Sequence, residues 1–277
     1  MLVMIKGAGD IASGIALRLW RAGINVVMTD LPKPSSIRRT VCFSEAVYRG
    51  ETKVEEVRAQ LAANAADALR LLEENILPVI VDPKAESAKE LHPDVIVDAI
   101  LAKENLGTAI TDAPGIVGVG PGFTAGTDCH AVVETMRGHT LGRVIWSGSA
   151  VPNTGVPGNI GGYTIERVMH SPCAGEFHAL RQIGDTVEAG ETVAVGGEPL
   201  CAKITGTLRG ILPEGFYVPR KGFKSADVDP RCRLFHCFTA SDKALAVGGG
   251  VLEAVLMLTS AVGTARKPEK RGEDYGK

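Results

Sequence analysis

Met1-Leu2-Val3-Met4-Ile5-Lys6-Gly7-Ala8-Gly9-Asp10-Ile11-Ala12-Ser13-Gly14 is the stretch on which the reading of the chain turns. Leu2 to Ile5 is a short apolar run, read as a first strand. Asp10 to Ala22 then sets Ile11, Ile15 and Leu19, with Ala12 and Ala16, at helical spacing. Gly23 ends that helix, and Asn25 to Thr29 supplies a second strand. A glycine turn that follows a strand and opens a helix is the context a dinucleotide fingerprint demands. Gly7 permits the tight turn, Gly9 lets a pyrophosphate approach the main chain, and Ala12 replaces the third glycine. The helix start at Asp10, Ile11 and Ala12 offers free N–H groups and a positive dipole end to phosphate. Asp30 closes the second strand, where a carboxylate accepts from a ribose diol and repels a 2′-phosphate. An NAD-like ligand is therefore favoured over an NADP-like one.

Working outward, Gln60 to Glu74 reads as helix, and Pro78 to Asp82 and Val95 to Ala99 as strands. Continuous apolar strands alternating with helices imply a parallel sheet covered on both faces. From Thr108 to Gly162 glycine dominates, and only Cys129 to Arg137 reads as a short helix. From Ser171 the pattern becomes short strands with glycine turns. Gly175, Gly184 and Val187 recur as Gly206, Gly215 and Val218, a weak internal repeat of 31 positions. Ile183 to Gly190 looks like the hairpin entry of lipoyl- and biotin-carrier domains. The tip expected between two such halves, Val195-Gly196-Gly197-Glu198-Pro199, has no lysine to modify. The expected architecture is α/β. A Rossmann-like nucleotide-binding domain with its glycine-rich loops covers 1–165. A β-rich, barrel-sandwich-hybrid-like domain covers 166–240, a C-terminal helix 241–265 interrupted by Gly248-Gly249-Gly250, and a disordered tail 266–277.

Four further features carry charge or chemistry. Asp10 sits in the first helical turn, where it either caps the helix or turns into the loop and discourages a second anion. Arg38 and Arg39 follow the second strand and suit a phosphate or carboxylate; a solvated basic pair is the alternative. Asp128, His130, Glu134 and His139 are the catalytic candidates. On a helix, His130 and Glu134 share a face and form an acid–base pair or part of an oxygen/nitrogen site, against plain loop anchoring. They lack a specific metal-ligand spacing, so no metal is expected. Cys129 beside them reads as an inert thiol. Lys224 to Arg231 alternates acids with flanking bases, either to hold a ligand or to tie a strand end by local ion pairs.

The 277 residues carry a net charge of -2 with 45% hydrophobic and 22% charged residues, an ordinary globular balance. A sequence pI near 6.3 argues against a nucleic-acid partner. No apolar run is long enough to span a bilayer, and no export signal is read at the N-terminus, so the expected compartment is the cytoplasm. Six scattered cysteines without a Cys-x-x-Cys pair read as reduced thiols.

Taken together, Gly7 to Gly14, Ile37-Arg38-Arg39-Thr40-Val41, Phe43-Ser44-Glu45-Ala46-Val47-Tyr48, Gly120-Pro121-Gly122-Phe123, His130 to Glu134, Arg137-Gly138-His139 and Lys224 to Arg231 carry a resemblance. The chain resembles the YqeB-type accessory proteins of selenium-dependent molybdenum hydroxylases over nearly its whole length. The resemblance implies a role in maturing such a hydroxylase, with the hydroxylase or its maturation machinery as partner. A NAD-like dinucleotide or a molybdopterin-type cofactor is the expected ligand. The alternative is an NAD-dependent oxidoreductase with His130, Glu134, His139 or Lys103 as proton donor. A homo-oligomer stays open.

Overall fold

The computed structural model describes residues 1–263; the tail expected from 266 onward lies outside the described residues. β1 (Leu2–Lys6), α1 (Asp10–Arg21) and β2 (Asn25–Asp30) form as the opening stretch dictates. The chain continues through α2 (Glu45–Arg49), the hairpin β3 (Glu51–Val54) and β4 (Val57–Ala62), α3 (Ala65–Glu73), β5 (Leu77–Val81), α4 (Ala88–Leu91) and β6 (Val95–Asp98). The expected long helix from Gln60 is thus shorter: strand pairing holds residues to Ala62, and the Asn64 side chain accepts from Asp67 N to start α3.

The glycine-rich segment holds more strand than its composition suggests. β7 (Gly115–Val119), β8 (Thr124–Ala125), β9 (Ala131–Val133), β10 (Val144–Ile145) and β11 (Gly148–Ser149) all lie there. The helix expected over Cys129 to Arg137 does not form. Ala131, Val132 and Val133 pair parallel with β7 instead, in a run rich in β-branched side chains. The resulting nine-stranded sheet has the order β10-β9-β7-β6-β1-β2-β5-β4-β3. It is parallel except at its edges, where β3 pairs with β4 and β10 with β9 antiparallel. Successive residues of β1 feed opposite cores, Val3 and Ile5 on one side and Met4 on the other. Both faces are therefore covered, as the unbroken apolar strands require.

The rest of the chain is antiparallel. β12 (Val168–His170), β13 (Gly175–Ala179), β14 (Thr186–Val187), β15 (Thr192–Gly196), β16 (Glu198–Cys201), β17 (Gly206–Ile211), β18 (Phe216–Val218) and β19 (Lys224–Asp229) form two four-stranded sheets around a separate core. The 31-residue repeat is expressed in the pairing. Gly175 sits opposite Val218, and Val187 opposite Gly206. Shifting the first pair by one repeat, forward on one strand and back on the other, yields the second. Each half thus completes its sheet with a strand of the other.

The chain ends by returning to the parallel sheet. α5 (Asp242–Thr259) packs on α1, and Gly248 to Gly250 lie inside it without interrupting it. The glycines are there for contact. A Cβ on Gly14 would lie 2.5 Å from Ala244 Cβ, and one on Gly248 would lie 2.7 Å from Gly14 O. Backbone meets backbone at this crossing, and side-chain volume has no place to go. Gly14→Val is expected to destabilise the fold by about 3 kcal/mol through overpacking. Urea denaturation checks it, and an unchanged midpoint would show that the two helices separate at no cost.

Candidate functional site

A cleft of about 570 Å³ opens at the C-terminal ends of β1, β2 and β6. This is where an open parallel sheet leaves room, because chains leaving adjacent strands diverge to opposite faces. Gly7 lies here with φ +95, and a Cβ on it would meet Ala99 O at 3.0 Å. Gly9 has an ordinary φ of −74, so its lack of a side chain serves space rather than backbone freedom. A Cβ on Gly9 would enter the cleft and lie 3.1 Å from Ser36 Oγ. The first helical hydrogen bond of α1 runs from Ser13 N to Gly9 O at 2.8 Å. The amides of Asp10, Ile11 and Ala12 precede it and have no partner within the helix.

Asp30 borders the same cleft. Its Oδ2 accepts from Ala8 N at 3.1 Å and its Oδ1 from Leu31 N at 2.7 Å. Burial raises its carboxyl above the usual range, against the pull of those two amides. Asp10 does not cap the helix. Both its oxygens accept from Arg38 Nη1, at 3.0 and 2.9 Å. Arg38 is 6% exposed and also donates through Nη2 to the carbonyls of His236 and Thr239. Arg39 does not line the cleft. Its Nε donates to Ile211 O at 3.0 Å and its Nη1 pairs with Glu45. Both arginines read as anion ligands from the sequence thus hold protein groups, and Arg38 alone keeps a place on the cleft wall.

This segment joins the two sheet systems. Ile37 is buried in the core of the antiparallel part, and its carbonyl accepts from Ile211 N at 2.8 Å. Thr40 donates to Cys237 O. The antiparallel part is thereby held over the start of α1 and contributes a second wall to the cleft: Arg167, Arg209 and Lys224, with Lys243 from α5. Arg167 and Arg209 both pair with Asp227, at 2.8 and 2.6 Å, and Asp229 takes Arg231 at 2.7 Å. The acids of the Lys224 to Arg231 stretch are therefore spent on ion pairs, the structural of the two readings. Lys224 itself faces the cleft. Sequence reasoning missed Arg167, Arg209 and Lys243 because they come from distant chain and carry no local motif.

The floor is braced from within. Lys6 Nζ donates to Thr108 Oγ1 at 2.5 Å, and Thr108 Oγ1 donates to Asp98 Oδ2 at 2.6 Å, all three residues buried. Asn105 accepts from the amides of Gly107 and Thr108, so the loop after β6 is tied down beside the cleft.

The four catalytic candidates are not brought together. Residues four apart along a strand are separated by about 13 Å, rather than stacked as on a helix. His130 Nδ1 accepts from Ile116 N at 3.0 Å. Asp128 accepts from Thr124 N. Glu134 is 2% exposed and accepts from the amides of Thr135, Met136 and Val151. His139 is exposed. None of the four lines the cleft. Among the described residues no cluster of three or more His, Cys, Asp or Glu is placed to hold a metal ion. Burial pushes the Cys129 thiol up to about 11, so it stays protonated at neutral pH. No helix among the described residues is long and apolar enough to cross a membrane.

Fold and cleft define a mixed α/β protein in which a parallel sheet and an antiparallel module share one cavity. Its sequence is 52% identical over 258 residues to the uncharacterized protein YqeB of Escherichia coli K12, a match taking in 93% of this chain. The chain is thus similar to YqeB over most of its own length, and it spans 48% of the length of that relative. No protein-family model matches the chain. An aspartoacylase family protein from Mesorhizobium loti superposes with a TM-score of 0.28 and 12% identity, covering 84% of this chain and 86% of its own. A succinylglutamate desuccinylase/aspartoacylase from Rhodobacter sphaeroides superposes with a TM-score of 0.23 and 15% identity, covering 81% and 86%. Likenesses this slight carry no argument about fold or chemistry.

Two outcomes are expected of the walls. Arg38→Met leaves Asp10 and two carbonyls without their donor and should lower unfolding free energy by about 3 kcal/mol. Arg38→Lys should recover only part, because an ammonium lacks the planar fork; full recovery in urea denaturation would refute the clasp. Arg137 holds the Asp242 carboxyl down to about 2. A depressed carboxyl contributes stability above its unfolded value near 4 and loses it as pH falls toward 2. Asp242→Asn should flatten that limb of the melting-temperature profile, and an unaltered limb would refute it.

Proposed function

We propose that the cleft binds a phosphate-bearing nucleotide ligand, a NAD-like dinucleotide or a molybdopterin-type cofactor. In this reading the chain serves as a cytosolic accessory protein in maturing a selenium-dependent molybdenum hydroxylase, the role that YqeB-type resemblance implies. The observation that carries the binding step is the cradle at Gly9. The start of α1 lines the cavity, and a Cβ on Gly9 would crowd its wall at 3.1 Å from Ser36 Oγ. The volume of about 570 Å³ suits a ligand of this size, since small-molecule sites run to roughly 300–1,000 Å³. A pyrophosphate would lie on the amides of Asp10, Ile11 and Ala12, and Asp30 would accept from a ribose hydroxyl beside Ala8. Arg38 neutralises Asp10, so the carboxylate nearest the phosphate does not repel it. The Rossmann reading of the parallel sheet and the carrier-like reading of the paired β-repeat belong to this proposal. So does the division of the chain near residue 165.

The NAD-dependent oxidoreductase reading ranks second. Asp30 favours it, but His130, Glu134 and His139 lie away from the cleft. A binding and handing-on role asks nothing further of the wall, whereas hydride transfer asks for a substrate pocket facing the nicotinamide.

Mass spectrometry of small molecules released from the native protein is expected to find a nucleotide-bearing species. Gly9→Val should lose it by at least tenfold with little change in melting temperature, since its backbone angles suit any residue. Wild-type retention in that variant would show the turn to be structural. Deleting the gene should lower the activity and selenium content of the partner hydroxylase; unchanged values would remove the maturation role.

A further inference from the structure

Most cations around the cleft are already matched. Arg38 pairs with Asp10, Arg137 with Asp242, and Arg167 and Arg209 with Asp227. Two amines are different. Lys224 at the start of β19 and Lys243 in the first turn of α5 line the same cavity as the Gly7 to Ala12 turn. Neither has a carboxylate within ion-pair distance among the described residues. They come from separate elements, so their convergence on one cavity is a product of the fold. Beside them, Arg167 is 5% exposed, lines the cleft and keeps an unpartnered Nε.

We propose that Lys224 and Lys243 form a second anion subsite of the cleft, which takes a terminal phosphate of the ligand beyond the phosphates held by α1. The preferred ligand is therefore a nucleotide carrying more negative charge than one pyrophosphate. This rests on the reading of the cleft as a nucleotide site and names the part of the ligand that reading leaves open.

The physical case is one of unpaid repulsion. Burial, then the neighbouring Lys103 and Arg137, lowers the Lys243 amine, and the Asp10 carboxylate opposes them in part. Lys224 and Lys243 share one cavity without an ion-pair partner of their own, so their mutual repulsion is only partly offset in the empty protein. A phosphate set among them reverses the sign of each interaction, in a cavity where water screens less than at an open surface. Lysine suits a rounded phosphate terminus as a set of movable point charges, while the arginines with planar carboxylate partners stay paired. The β module then acts as a charge-reading lid wall: Lys224 reaches the ligand only because Ile37 and Arg38 hold that module over α1.

Titration calorimetry with inorganic pyrophosphate and inorganic tripolyphosphate tests this on the full chain. Wild type should bind tripolyphosphate more tightly than pyrophosphate. Lys224→Gln and Lys243→Gln should each weaken tripolyphosphate about tenfold, the value of one charge-assisted contact, and the double variant more. Pyrophosphate affinity should change far less. The ligand-free melting temperature of these variants should stay the same or rise, because repulsion is relieved; Lys243→Arg should bind as wild type. Unaltered tripolyphosphate affinity in the double variant, or a loss accompanied by a fall in ligand-free melting temperature, would overturn the subsite. Gly9→Val separates the two readings. If it leaves pyrophosphate affinity unchanged while the lysine variants still lose tripolyphosphate, the α1 cradle fails and the lysine subsite stands.

Discussion

Arg38 connects what would otherwise be two structures. One end of its guanidinium meets Asp10 at the start of α1; the other donates to carbonyls at His236 and Thr239, just ahead of α5. Its neighbour Ile37 is buried in the core of the antiparallel module. One short segment therefore fixes the position of the module relative to the parallel sheet. A buried ion pair is weak evidence for stability, because desolvation offsets most of the attraction. Its effect here is orientation. A guanidinium with several donors in fixed directions accepts only one arrangement of its partners. The cleft exists because that arrangement leaves a gap between the glycine turn and the module.

The glycines of α5 serve the same geometry from the other side. Gly14 and Gly248 let α1 and α5 approach at backbone distance, and a Cβ on Gly250 would fall 2.0 Å from Gly142 O. α5 thereby closes the helical layer over the sheet and delivers Lys243 to the cleft. Stability and site are coupled through small residues, since each added methyl would move a wall. The two kinds of wall differ in purpose. Paired arginines build the frame and are satisfied by protein acids. Lys224 and Lys243 have no such acid partner among the described residues.

The strand-turn-helix opening was legible because its signals are local. Apolar runs, helical spacing and glycine punctuation act within a few residues of one another, and β1, α1 and β2 follow them closely. The repeat in the β module was legible for the same reason, as equal spacing implies equal strands, although its exchange of strands between halves was not. The helix read over Cys129 to Arg137 failed on competition. Ala131 to Val133 had an unsatisfied parallel edge in β7 to pair with, and pairing outweighed a weak helical pattern. With that helix went the proximity of His130 and Glu134.

By itself, the sequence determined the alternation of strand and helix, the glycine turn, the carboxylate at Asp30 and the YqeB-type likeness. All of these are properties of residues near one another along the chain. Only the tertiary structure decided which charges are spent and which are free. Arg38 and Arg39 look like ligands in sequence and are bound to protein atoms; Lys224 and Lys243 look like surface charges and line one cleft. The reason is that an ion's partner is set by distance in space, and the fold brings Arg38 to carbonyls about two hundred residues away. No pattern short enough to read along the chain encodes that meeting.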